Sequence, residues 1–82
     1  MMENKEIYER LTEIFHDVFD DDSIVVTPEL KAADIDEWDS LTHIRLVVSI
    51  ERSYKLKFSA AEVGRLKNVG EFVDLIQMKA AA

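Results

Sequence analysis

Apolar residues recur at Ile7, Leu11, Ile14, Phe15 and Val18, the spacing of one helical face, with polar residues between them. Glu6 and Arg10 stand four apart in the favourable order and lend weak support. This first helix is expected to end near Phe19, because Asp20, Asp21 and Asp22 would oppose the negative end of its dipole. A second stripe, Leu41, Ile44, Val47 and Val48 widened by Leu46 and Ile50, predicts a helix over residues 40–54 that is buried around much of its girth. The run "IRLVVSI" is β-branched enough for a strand, yet its length, mixed spacing and want of a partner strand favour the helix.

"FSAAEV" reads as a capping box, with Ser59 as cap, Glu62 reaching back and Phe58 stapling onto Val63; Gly64 predicts that this helix is short. "NVGEF" opens a last helix capped by Asn68, with Val69, Phe72, Val73 and Ile76 on its buried face. Residues 20–39 form a long connection, pinned to the core by Ile24, Val25 and Val26. Within it, Thr27 as cap and Pro28 at the first helical position predict one short helical turn. A connection this long in a small domain is more often functional or wrapping than idle. The expected fold class is all-α: a small four-helix bundle of three longer helices and one short one. It forms a single domain over residues 1–82, with no structure expected for the doubled Met at the start or for the closing tail of Ala80, Ala81 and Ala82.

Composition narrows the function. Apolar residues make up 48% and charged residues 33%, which suits a folded chain, and two glycines and one proline are too few for a β fold with many tight turns. The formal charge of −7 argues against a nucleic-acid surface and favours partners with basic patches. Without cysteine the chain can supply neither a disulfide nor a thiolate. "MMENKEIYER" lacks the apolar core of a signal peptide and no apolar run is long enough to span a bilayer, so the expected location is cytoplasmic, with no membrane insertion.

One short stretch carries chemistry. "DIDEWDSL", residues 34–41, sets a single hydroxyl, Ser40, into an acidic collar where the second helix begins. If Asp39 is the N-cap, its carboxylate satisfies the first backbone N–H groups, and Ser40 at the first helical position has its hydroxyl unclaimed and facing solvent. The positive end of the helix dipole there suits a phosphate ester. The plainer alternative is that Ser40 is itself the cap and nothing more.

"EWDSLTHIRLVVSIE" resembles the attachment motif of acyl carrier proteins, in which the serine of Asp-Ser-Leu opens the second helix and bears 4′-phosphopantetheine. The resemblance covers nearly the whole chain, because the first helix, long loop, Asp-Ser-Leu helix, "FSAAEV" and "NVGEFVDLI" arrive in the family's order and spacing. It implies the family's four-helix bundle and a carrier that catalyses nothing. Acyl or related intermediates would ride as thioesters on an arm that a phosphopantetheinyl transferase moves from coenzyme A to Ser40. Asp39 would help the transferase position its metal, and Leu41 would contact that enzyme; the chain itself is expected to hold no metal.

Partner recognition is expected from Asp36, Glu37, Asp39, Leu41, Arg45 and Glu51, and Ile44, Val48, Val63 and Leu66 are candidate walls for an acyl pocket. The partners implied are the transferase and the acyl-transferring, condensing or ligase enzymes of one pathway, with the carrier a monomer. Fatty-acid carriers commonly have a strongly acidic second helix; here Arg45 stands where glutamate is usual, and His43 and Arg52 dilute the negative face further. The acids collect instead before the serine, at Asp34, Asp36, Glu37 and Asp39, and Trp38 is unlike those carriers too, reading as a residue that packs the loop onto the bundle. A specialised, stand-alone carrier for fatty-acid-like, polyketide or other dedicated biosynthesis is therefore expected.

Rival readings are weaker. Ser40 and His43 lie one turn apart like a nucleophile and base, but no third group and no nucleophile elbow accompany them, and His43 reads as a surface residue. Asp34 and Asp36 start like a calcium loop, yet its glycine is missing, Trp38 takes a ligand position and Arg45 stands where the closing glutamate belongs. A small helical protein-interaction module without a prosthetic group shares the same hydrophobic pattern; only the motif separates it from a carrier.

Overall fold

The first apolar stripe folds as expected. In the computed structural model, which describes residues 3–64 and 66–81, it becomes α1 (Asn4–Phe19) with Ile7, Leu11, Ile14, Phe15 and Phe19 buried. Phe19 completes the face one turn beyond Phe15, and Val18 packs at its margin. The helix stops where Asp20 turns into the left-handed region (φ 51°) and returns its N–H to the His16 carbonyl. Aspartate tolerates that backbone better than most residues.

The long connection departs from expectation. No helix starts at Thr27: residues 27–30 close a single turn, with the Leu30 N–H on the Thr27 carbonyl at 3.2 Å, and a 3-10 helix forms later, at Ala32–Asp34. The reason lies at the far end of the chain. The Leu30 and Pro28 carbonyls accept the N–H groups of Val69 (2.9 Å) and Gly70 (3.0 Å), which the first turn of the last helix cannot satisfy within itself. A Cβ on Gly70 would stand 3.2 Å from the Pro28 oxygen, so the close approach favours glycine. Ile24 and Val26 pack against the core as expected, whereas Val25 points outward, 73% exposed.

The second stripe becomes α2 (Ser40–Tyr54), with the expected bounds but less burial. Leu46, Val47 and Ile50 are buried, while Leu41 and Ile44 are 69% and 60% exposed. The bundle covers α2 chiefly from the α1 side, with His43 reaching Phe72 of α4. The helix ends on Lys55 at φ 56°, whose N–H bonds back to Glu51.

In α3 (Ala60–Gly64) the capping box is present: the Ser59 N–H donates to the Glu62 carboxylate and the Glu62 N–H to the Ser59 hydroxyl. Phe58 and Val63 both pack on the edge of the core. In α4 (Val69–Ala81), Asn68 caps by accepting the Glu71 N–H, and Val69, Phe72, Val73 and Ile76 are all buried. The helix runs on through Ala80 and Ala81, contrary to the expected tail, as alanine's high helix propensity allows. Met1, Met2 and Ala82 lie outside the described residues.

The result is a bundle of three longer helices and one short one, with no strand among the described residues. One core runs through it, and Phe15, Phe19 and Trp38 form its aromatic end.

Candidate functional site

The aromatic end of the core supports the start of α2. Trp38 is buried, edge-on to Phe15 at 5.3 Å between ring centroids and 5.9 Å from Phe19, so it packs the loop onto the bundle as expected. Its indole Nε1–H donates to His43 Nδ1 at 3.0 Å. Because Nδ1 accepts, this imidazole is neutral and carries its proton on Nε2. Burial also pushes the His43 pKa below its ordinary value. The ring lies nearly parallel to Trp38 and 5.9 Å from Phe72 of α4. His43 is thus a half-buried strut between loop, α2 and α4, not the surface residue that its sequence context suggests.

With the loop fixed, the helix start follows. Asp39 Oδ1 accepts the backbone N–H groups of Leu41 and Thr42, both at 3.0 Å. The Asp39 N–H donates to Thr42 Oγ1 at 2.8 Å, and that hydroxyl donates to the Glu37 carbonyl at 2.7 Å. Led by the Thr42 backbone N–H, these donors hold the Asp39 carboxyl below the usual carboxylate range. Sequence reasoning found the cap and missed Thr42; the signal was the three-residue spacing between Asp39 and a hydroxyl able to close a reciprocal box.

Asp39, and not Ser40, therefore caps α2. Ser40 sits exposed at the first helical position, and its hydroxyl has no hydrogen-bond partner among the described residues. Beside it opens a shallow groove of about 550 Å³, lined by Ala32, Trp38, Asp39, Ser40, His43 and Ile44. Trp38, His43 and Ala32 also line a small inner cavity of about 40 Å³ with Leu66 and Phe72.

The expected recognition residues divide into two groups. Asp36, Glu37, Asp39, Leu41 and Arg45 are exposed around the Ser40 end of α2. Glu51 stands apart: half-buried, with its carboxylate accepting the Phe58 N–H at 2.8 Å. Of the expected pocket residues, Ile44 lines the outer groove and Leu66 the inner cavity, while Val48 and Val63 are half-buried. No group of three or more metal-ligating side chains gathers among the described residues, and none of their helices is long and apolar enough to cross a membrane.

No protein-family model matches the chain. It is, however, 31% identical over 81 residues to the acyl carrier protein of Thermosynechococcus vestitus, covering 99% of this chain and 100% of that one. The chain belongs to the acyl carrier protein family. The fold agrees: the solution NMR structure of the holo acyl carrier protein from Geobacter metallireducens superposes with a TM-score of 0.85 at 55% identity, over 90% of this chain and 85% of that one. In this acyl carrier protein family member, the sequence motif and the bundle geometry meet at one exposed hydroxyl.

Proposed function

We propose that this family member is a non-catalytic carrier that holds acyl or related groups as thioesters on a 4′-phosphopantetheine arm attached to Ser40. The observation that carries the reading is the division of labour at the head of α2. Asp39 and Thr42 satisfy the backbone, which leaves the Ser40 hydroxyl exposed and unbonded for an outside enzyme. The positive end of the α2 dipole favours the phosphate that such an attachment would place there. The Geobacter metallireducens relative was solved in its holo form, which supports the same reading for this chain.

When attached, the arm supplies the thiol that a chain without cysteine lacks. The chain's own residues hold and present it. The groove of Ala32, Trp38, His43 and Ile44 gives the arm an apolar surface to lie against. Tethering then raises the local concentration of cargo at each enzyme that docks. The inner cavity has room for about one water, not for an aliphatic chain. An acyl pocket walled by Ile44, Val48, Val63 and Leu66 therefore requires α2 and the segment from α3 to α4 to part.

The partners proposed are a phosphopantetheinyl transferase and the enzymes of one dedicated pathway in the cytoplasm, which the basic residues of α2 separate from general fatty-acid synthesis. Incubation with coenzyme A, magnesium and a broad-specificity transferase should add one phosphopantetheine by intact mass to the wild type and none to Ser40→Ala. A wild type that stays unmodified refutes the reading and leaves an interaction module without a prosthetic group.

A further inference from the structure

The outer face of α2 is divided by charge. At 100° per residue, Leu41, Arg45, Val48 and Arg52 fall within about 60° of one another, with Ile44 alongside. Leu41, Ile44, Arg45 and Arg52 are all exposed. The two arginines lie about 6 and 16 Å along the axis from Leu41, and neither has an ion-pair partner among the described residues.

The groups that could offset them are engaged elsewhere. Glu51, the only acid of α2, turns its carboxylate to the Phe58 N–H, and His43 is held neutral against Trp38. The exposed charged residues of α2 are therefore both basic, with the half-buried Glu51 turned toward Phe58, whereas the loop just before it offers Asp36 and Glu37, also exposed. Between the two signs sit the apolar side chains of Leu41 and Ile44, next to Ser40. Exposed apolar residues rimmed by charge mark an interaction surface, and the sign of the rim selects the partner and sets its on-rate.

We infer that this face docks a carrier-dependent enzyme whose recognition site has an apolar recess for Leu41 and Ile44, basic groups toward Asp36 and Glu37, and carboxylates toward Arg45 and Arg52. An enzyme with a uniformly basic docking site meets like charge at both arginines and is disfavoured. The inference rests on the carrier reading and deepens it by naming the partner's charge pattern.

The test uses full-length protein loaded to completion by a broad-specificity transferase, with arm gain verified by intact mass. The probe is an acyl-transferring enzyme of general fatty-acid synthesis, whose own carrier has an acidic second helix. For the double variant Arg45→Glu, Arg52→Glu, kcat/KM with this probe should rise about tenfold over wild type at low salt, and the gain should shrink as salt screens the rim. The double variant Arg45→Gln, Arg52→Gln should fall between the two, and Asp36→Lys with Glu37→Lys should fall below wild type. Equal kcat/KM for wild type and the glutamate variant overturns the inference while leaving the carrier reading intact. Failure to gain the arm overturns both. Sedimentation of the wild type as a dimer that the glutamate variant dissolves also overturns the inference, because the occupant is then a second copy of this chain.

Discussion

Replacing Trp38 by phenylalanine keeps an aromatic ring against Phe15 and Phe19 and removes the N–H that His43 accepts. Loss of one hydrogen bond costs about 1 kcal/mol, and trimming a buried indole to a phenyl ring adds about 1 kcal/mol of lost packing. For 82 residues the whole folding free energy is roughly 4–12 kcal/mol, so a loss of about 2 kcal/mol is large. The thermal midpoint should fall by roughly 8–16 °C. Trp38 is the only tryptophan, so unfolding in urea is best followed by far-UV circular dichroism and not by fluorescence. A cycle with His43→Leu isolates the pair and should return a coupling of about 1 kcal/mol near neutral pH.

The pH dependence has a definite sign. The folded pKa of His43 lies below 6.5, so as pH drops the unfolded chain takes up this proton first. The contribution of His43 to stability is therefore complete above 6.5 and is lost as pH falls from there through the folded pKa. An imidazolium cannot accept the Trp38 N–H, so the coupling should shrink toward zero as pH falls through the folded pKa of His43. His43→Leu should flatten this part of the stability profile. Single substitutions that add to within about 0.3 kcal/mol at neutral pH would show that the 3.0 Å contact carries no energy and refute the reasoning.

Other consequences follow from the same geometry. Leu46→Ala should cost about 2–5 kcal/mol and Ile44→Ala less than about 0.5 kcal/mol in urea unfolding, although both sit in one apolar run; equal costs would contradict the one-sided burial of α2. Glu51→Ala should cost about 1–2 kcal/mol by stranding the half-buried Phe58 N–H, and a neutral result would put Glu51 back on the surface. Asp39→Ala should lower the thermal midpoint and broaden the Leu41 and Thr42 amide resonances, whereas Asp39→Ser should retain most of the cap. Since the folded pKa of Asp39 is depressed below 3.8, its contribution is present above that value and lost as pH falls through the folded pKa; an acid limb unchanged in Asp39→Ser counts against this.

How far the chain could be read without coordinates differs from element to element. The bounds of α2, the caps at Ser59 and Asn68, the buried face of α4 and the lone hydroxyl at Ser40 were all legible. Each depends on residues within one or two turns of one another, where spacing and hydrogen-bond chemistry act locally. The choice of Asp39 over Ser40 as cap needed one more local fact, the Thr42 hydroxyl that closes the box.

What sequence could not decide depends on who lies opposite. Leu41 and Leu46 are chemically the same side chain, and only the packing of the other elements leaves one in water and buries the other in the core. The turn at Thr27 stayed a turn because its carbonyls serve α4, some forty residues away along the chain. His43 and Glu51 looked like surface charges until Trp38 and the Phe58 N–H engaged them. The amino-acid order by itself determined the longer helices, their N-terminal caps and the hydroxyl at the head of α2, because those are short-range matters of period and donor geometry. Tertiary packing alone decided which charges remain exposed beside that alcohol, because a side chain's solvation depends on neighbours that chain order does not specify.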